Sequence, residues 1–209
     1  MFQDYIEVTL DDTVLNHLGY EKKNYSLVKD DKEVTVFDFP ATYNYNGDNY
    51  KITSIGEQLF ENISSLISVT IPNGIISIGD SVFRGCKSLT NVVIPNTVKK
   101  IGKKCFQGCF SLTKIIIPDK VRVIDHNTFE DCYSLSNVKF SNNLRKIGNM
   151  AFAKCKSLNN IVIPDSVTRI GTCAFFSCEK LNNLTMPKNV KKIGLYAFGK
   201  TPWNENLQD

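Results

Sequence analysis

The hydrophobic positions of this chain recur every 23 residues over most of its length. In the stretch SLTNVVIPNTVKKIGKKCFQGCF, which begins at Ser88, apolar residues occupy a fixed set of positions. The next stretch, SLTKIIIPDKVRVIDHNTFEDCY, begins at Ser111 and fills the same positions. The full set of repeats begins at Ser65, Ser88, Ser111, Ser134, Ser157 and Lys180. Repeats of this length are typical of a solenoid, in which each coil buries its apolar residues against its neighbours.

The first half of each repeat has the pattern of a short strand. Leu89 begins the buried row, and Val92 and Ile94 then alternate with an outward residue, as in a strand with one buried face. Proline follows in five of the six repeats, where its missing N–H ends the ladder. Ser141 takes that position in the remaining repeat.

The second half of each repeat reads V-x-x-I-G-x-x-x-F. We expect its isoleucine and phenylalanine to be buried, with the phenylalanine in a short helical or 3₁₀ turn. The glycine is expected to need a positive φ. Asp125 is the one exception, and aspartate tolerates that conformation better than most residues.

The ends of the chain depart from the repeat. We assign residues 1–32 to an N-terminal cap, with a short helix that is capped by Asp11 or Asp12 and ended by Gly19. Residues 33–64 form an irregular first repeat with a strand over residues 34–39. Near residues 41–50 it carries an inserted hairpin, whose turn signal Asn46-Gly47 predicts that it projects from the first coil. Residues 65–202 hold the six repeats, and residues 203–209 form a C-terminal lid and tail.

Composition indicates a globular chain. Of 209 residues, 42% are apolar and 22% are charged, and the net charge of +4 is too small to indicate nucleic acid by itself. Five of the seven cysteines recur at the repeat spacing, which predicts buried thiols and not disulfides. Cys105 is also expected to be buried, whereas Cys173 occupies a position that accepts polar residues and is expected to be the exposed thiol.

The sequence shows no membrane-spanning segment and no targeting signal. Its apolar runs are too short to span a membrane, and the first residues, MFQDYIEVTLDD, have neither a basic segment nor an apolar segment of a secretory signal. If that absence is genuine, the expected location is the cytoplasm.

Taken together, the repeat positions resemble the BspA-like leucine-rich-repeat family over residues 33–202. The motif L-x-x-V-x-I-P-x-x-V-x-x-I-G-x-x-A-F-x-x-C is matched closely by NIVIPDSVTRIGTCAFFSC, which ends at Cys178. The resemblance implies a right-handed leucine-rich-repeat coil with a parallel β-sheet on the concave face and short strands or 3₁₀ turns on the convex face. Known members are largely cell-surface or secreted proteins of bacteria and some parasitic protists, implicated in adhesion. Ser141, Asp125, Thr201 and the hairpin depart from the pattern.

Nothing in the sequence has the pattern of a catalytic site. The chain has two histidines. His17 is interpreted as a residue of the N-terminal cap and His126 as a surface turn residue, so neither indicates a catalytic role. The cysteines lack a second pair at zinc-ligand spacing, and every Ile-Gly pair belongs to the repeat and not to a phosphate-binding loop. We therefore predict no enzyme, no cofactor and no small-molecule substrate.

Two surfaces are free to bind a partner. The outward strand positions combine polar and exposed aliphatic side chains, and the hairpin adds tyrosines; these candidates are Asn91, Val93, Lys114, Ile116, Asn137, Lys139, Asn160, Val162, Asn183, Tyr43, Tyr45 and Tyr50. Basic residues recur in the second half of the repeats, namely Lys100, Arg122, Lys146, Arg169 and Lys192. Both sets also have structural explanations, since asparagine and β-branched residues suit stacked strands and lysines keep an array soluble.

The leading hypothesis is a non-catalytic protein-binding module for adhesion or cell-surface interaction, acting as a monomer on an unidentified protein ligand. An intracellular scaffold or regulator on the same fold remains an alternative. Binding of a polyanion to the basic residues in the second half of the repeats is a second alternative. Nucleic acid is disfavoured as that polyanion because few aromatic residues accompany the basic ones.

Overall fold

The structure is a computed structural model that describes residues 6–24, 26–30 and 32–205. The chain is a solenoid of parallel strands with little helix, and the predicted solenoid fold is confirmed. Residues 1–5, 25 and 31 of the predicted cap and residues 206–209 of the predicted tail lie outside the described residues.

The N-terminal segment packs a strand and a helix onto the first coil. Strand β1 (Ile6–Leu10) leads into helix α1 (Asp12–His17), which confirms the predicted helix. The Asp11 side chain caps the helix by accepting a hydrogen bond from the N–H of Val14 at 3.0 Å. Val14 and Leu15 are buried against the core. No sequence pattern indicated β1, which pairs in parallel with a strand of the first coil.

An antiparallel sheet follows the helix. Its strands are β2 (Tyr20–Lys23), β3 (Ser26–Lys29) and β4 (Lys32–Val34). The single strand predicted over residues 34–39 is wrong, because the chain bends at Thr35 and β4 ends before it. A separate strand, β5 (Val36–Asp38), then joins the solenoid in parallel.

The predicted hairpin is present. Strands β6 (Thr42–Tyr45) and β7 (Asp48–Ile55) pair antiparallel around Asn46 and Gly47, whose φ angles of 52° and 88° suit a two-residue hairpin turn. Strand β7 also pairs in parallel with β1, and its last residues, Ser54 and Ile55, pair in parallel with the next coil. The inserted residues near 41–50 therefore lie beyond the residues that pair with the next coil.

Each regular coil contributes a three-residue strand and a two-residue strand. The three-residue strands are β8 (Ser68–Thr70), β10 (Asn91–Val93), β12 (Lys114–Ile116), β14 (Asn137–Lys139), β16 (Asn160–Val162) and β18 (Asn183–Thr185). The two-residue strands are β9 (Ser77–Ile78), β11 (Lys100–Ile101), β13 (Val123–Ile124), β15 (Lys146–Ile147), β17 (Arg169–Ile170) and β19 (Lys192–Ile193). Helix α2 (Pro202–Glu205) follows the last coil. Paired strands match residues 23 positions apart, so each sequence position forms a row along the solenoid.

The core is organised around a column of phenylalanines. One ring per coil stacks nearly parallel on the next, at centroid distances of 5.2–5.8 Å; the column is Phe60, Phe83, Phe106, Phe129, Phe152, Phe175 and Phe198. At the C-terminal end, Trp203 packs edge-on against Phe198 at 5.1 Å. The column therefore links every regular coil to its neighbours through buried aromatic contacts.

The segment that carries each phenylalanine consists of successive tight turns, in which Arg84 donates to the carbonyl of Ser81 and Cys86 donates to the carbonyl of Phe83, both at 3.1 Å. Alternate residues donate hydrogen bonds to the following coil, as Ser81, Phe83 and Gly85 do at 2.8 Å each. The alternation needs two left-handed residues per coil, such as Ser81 with φ 57° and Gly85 with φ 71°. We call this set of segments the turn column.

The role predicted for the repeat glycines is wrong. Gly79, Gly102, Gly148, Gly171 and Gly194 do not have positive φ, and neither does Asp125 in the equivalent position. The glycines are required because a Cβ would lie 2.2–2.8 Å from atoms of the preceding coil, closer than real Cβ contacts come. Glycine at this position therefore permits close approach of two backbones.

The recurrent cysteines form hydrogen bonds between coils. The thiols of Cys86, Cys109, Cys132, Cys155 and Cys178 each lie 3.1–3.2 Å from the phenylalanine carbonyl oxygen of the preceding coil. Burial raises the pKa of these thiols, to about 12 for Cys86 and Cys178. Cys105 is buried as well, and Cys173 alone is partly exposed, so the predicted assignment of the seven thiols is confirmed.

Candidate protein-binding surface

The outward side chains of the three-residue strands form one continuous surface, which we call the strand face. In each strand the middle residue points into the core and the two flanking residues point outward, as in Asn91, Val92 and Val93 of β10. The predicted strand residues all belong to this face; they are Asn91, Val93, Lys114, Ile116, Asn137, Lys139, Asn160, Val162 and Asn183.

The apolar part of the strand face is strongly exposed. Val93, Ile116 and Val162 expose 49%, 61% and 60% of their surface. Sequence reasoning missed Val36 of β5, which is 56% exposed and extends the face by one strand. Residues 34–39 read as one continuous strand in the sequence, and that pattern does not reveal the register of Val36 with β8.

The strand face is divided by shallow grooves. Hydrogen bonding between strands is interrupted between β10 and β12 and again between β14 and β16. A groove of about 360 Å³ lies at the first interruption, with Val93 and Ile116 among its lining residues. A second groove, of about 520 Å³, lies at the other interruption and includes Lys139 and Val162. Both grooves place apolar and polar side chains side by side.

The tyrosines belong to a different sheet and are not brought onto the strand face. Tyr43 and Tyr50 stack on each other across the hairpin at 4.9 Å, and Tyr45 stacks on His17 of α1 at 3.9 Å. Burial, followed by the charge of Tyr50, raises the pKa of the Tyr43 hydroxyl. Much of this aromatic surface is therefore used within the protein, with Tyr45 the most exposed at 39%.

The basic candidates lie on the two-residue strands. Lys146, Arg169 and Lys192 are directly in register, and Lys100 occupies the same position in β11. Arg122 precedes β13 and falls in the neighbouring row. This row is separate from the strand face because the two kinds of strand belong to different sheets.

The side chains that could take part in catalysis or metal binding are engaged in structural contacts. The Nδ1 atom of His126 accepts a hydrogen bond from the N–H of Asn149 at 3.0 Å, and the buried thiols are engaged with backbone carbonyls. Within residues 6–24, 26–30 and 32–205, no group of three or more His, Cys, Asp or Glu side chains could hold a metal ion. None of the helices in the described chain is long and apolar enough to cross a membrane.

The fold and the two rows of outward residues define a leucine-rich-repeat protein. The model of the BspA type leucine rich repeat region matches residues 53–178 and 145–207 with six copies, and the chain belongs to that family. Proteins built from these repeats generally act as protein-interaction modules.

Solved bacterial structures share the fold. A leucine-rich repeat protein from T. pallidum has a TM-score of 0.75 and 25% identity, covering 83% of this chain and 82% of that one. Leucine-rich repeat proteins from Eubacterium ventriosum and Bacteroides ovatus have TM-scores of 0.73 and 0.66 at 24% identity, covering 90% and 87% of this chain. The chain spans only 51% and 55% of those two proteins. No curated protein matches the chain.

Proposed function

We propose that the chain is a non-catalytic module that binds a protein ligand through the strand face in adhesion or cell-surface interaction. The observation that carries the proposal is the row of exposed Val93, Ile116 and Val162, flanked by asparagine and lysine side chains. Exposed apolar residues within a polar surround are typical of protein-interaction sites. The adhesion role rests on the family resemblance.

The size of the strand face defines what such a partner must contact. Seven strands at a spacing of about 4.8 Å span about 29 Å, and three residues at about 3.3 Å give a width of about 10 Å. The resulting area of about 300 Å² is less than half of the roughly 800 Å² per partner in a typical stable interface. A partner must therefore also contact the turns after the strands, such as Asn96 and Asn142 in the groove walls.

The first experiment measures binding to a panel of purified extracellular-matrix and serum proteins. Replacing Val93, Ile116 and Val162 with Asp is expected to weaken any specific binding by about a hundredfold or more, because buried apolar anchors dominate interface energy. The matched control replaces Ile76, Met150 and Leu195 with Asp, which are exposed apolar residues outside the strand face. Equal affinity of the folded strand-face variant and the control would contradict the proposed surface.

A second experiment separates adhesion from an intracellular scaffold that uses the same face. An antibody against this chain is applied to intact and permeabilised cells of the source organism. Labelling of intact cells supports adhesion. Labelling only after permeabilisation would contradict adhesion and favour the scaffold.

A further inference from the structure

The sheet of two-residue strands has one break, between β11 and β13. In every other coil the residue after the inward isoleucine donates a backbone hydrogen bond to the coil before it, as Gly148 does to Ile124 at 2.8 Å. Asp125 makes no such bond to the carbonyl of Ile101 within the described chain. The break therefore coincides with the one coil in which aspartate replaces glycine.

The side chain of Asp125 explains the break. At the equivalent position of the preceding coil, a Cβ on Gly102 would lie 2.4 Å from the carbonyl oxygen of Gly79. A residue with a Cβ cannot keep the regular backbone spacing there, so the coil of Asp125 must stand away from the coil before it on this side. The phenylalanine column does not open, because Phe106 and Phe129 remain 5.3 Å apart.

Asp125 also satisfies a hydrogen bond that its coil would otherwise lose. Elsewhere along this row, a side chain accepts the N–H of the following coil, as Asp80 does from Lys103 at 2.9 Å. Lys103 has no acceptor atom in its side chain, and Asp125 accepts the N–H of His126 at 2.8 Å instead. Asp125 thus has two effects. Its Cβ opens the sheet, and its carboxylate accepts the N–H of His126 that would otherwise lack an acceptor.

The break forms a groove with a volume of about 680 Å³. Four cationic side chains line it, against the two carboxylates of Asp119 and Asp125; the cations are Lys99, Lys100, Lys120 and Arg122. All four are exposed, and none forms an ion pair within 4 Å in the described chain. Their charge is therefore available to an anion.

The groove lies beside a row of further cations. Lys146, Arg169 and Lys192 continue from it in register, over three strands spaced by about 4.8 Å. A row of positive charge along successive strands is complementary to an extended polyanion. The groove lining contains no aromatic side chain, so it lacks the stacking platforms used for single-stranded nucleic acid.

From this arrangement we propose that the groove at Asp125, with the cationic row beyond it, binds a linear acidic polysaccharide. The proposal is independent of the strand face, which lies on the other sheet. It identifies Asp125 as the residue that shapes the groove, with Lys100 and Arg122 among its charged contacts.

The decisive comparison is between Asp125→Gly and Asp125→Asn, which remove the same negative charge. The asparagine variant would keep the Cβ and the groove, so binding of a fluorescent heparin oligosaccharide should be equal to wild type or tighter. The glycine variant would allow the backbones to close, so binding should weaken by about tenfold despite the loss of a repelling carboxylate. Equal affinity of the two variants in anisotropy titrations would overturn the role of the break.

A second comparison tests whether position matters beyond total charge. The double variant Lys100→Gln/Arg122→Gln should lose about tenfold in affinity, whereas Lys114→Gln/Lys139→Gln, with the same charge change on the strand face, should lose less than about threefold. Equal losses would show diffuse attraction and overturn the site. Equally tight binding of a DNA duplex or of phosphatidylserine vesicles would overturn the assignment to a polysaccharide.

Discussion

Replacing Phe129 with alanine tests whether the phenylalanine column holds the solenoid together. Phe129 is fully buried in a central coil and stacks on Phe106 at 5.3 Å and on Phe152 at 5.2 Å. The substitution removes both contacts and leaves a cavity that two coils share. Its effect should therefore extend to the coupling between the two halves of the array.

The magnitude follows from the contacts that are lost. Truncating a buried phenylalanine to alanine costs about 3–5 kcal/mol, and each aromatic pair adds about 0.5–1.5 kcal/mol beyond its buried area. We therefore expect a loss of about 4–8 kcal/mol in the free energy of unfolding. Solenoid stability is approximately a sum over neighbouring coils, so a loss of this size at a central coil should separate the unfolding of the two halves.

The assay uses two probes of urea unfolding. Trp203 is the single tryptophan and lies against Phe198, so its fluorescence reports the last coil, whereas circular dichroism reports the whole chain. For Phe129→Ala, the midpoints should fall and the two transitions should separate. Phe129→Leu serves as the control: it retains most of the apolar volume and should cost about 1–2 kcal/mol with coincident transitions. Coincident transitions and a loss below about 2 kcal/mol in Phe129→Ala would refute this account of the column.

Three further predictions concern the thiols, the repeat glycines and pH. A thiol reagent at about pH 8 should modify Cys173 alone in the native protein and all seven cysteines after denaturation; rapid modification of a second native thiol would contradict the assigned burial. Gly148→Ala should lower the free energy of unfolding by about 1–3 kcal/mol, because the new Cβ would lie 2.7 Å from the carbonyl carbon of Asp125; an unchanged urea midpoint would argue against the close approach. Thermal stability should fall as pH rises above about 9. The reason is that the unfolded chain releases thiol protons there, whereas burial holds the pKa of Cys86 and Cys178 at about 12 in the folded chain. A melting temperature that stays constant from about pH 8 to pH 11 would contradict this linkage.

The repeated positions were predictable because each one recurs with the same residue type. A row such as the cysteine row or the phenylalanine row reveals its burial by repetition alone. The strand-face residues could be assigned in the same way, from alternation within the three-residue strands. Their use in binding stays a prediction.

Features that depend on backbone geometry were not readable from residue type. A glycine can provide either a positive φ or room for a neighbouring backbone, and the sequence is the same in both cases. The true left-handed positions include Met150 and Tyr196, which no propensity would select. The bend at Thr35 and the pairing of β1 with β7 depend on contacts between segments distant in sequence, so no local pattern indicated them.

The turn column is electrically polar along the axis of the solenoid. Three backbone N–H groups in each coil donate to the following coil at all six interfaces, in the same direction each time. Their peptide dipoles therefore add, as in an α-helix, with the negative end at the N-terminal coil and the positive end at the C-terminal coil. At the negative end, the ammonium group of Lys22 donates to the carbonyl of Leu59 at 2.9 Å, as a basic side chain does at the C-terminus of a helix. The two ends of the turn column thus present opposite partial charges, a property that arises from the backbone and not from the charged side chains.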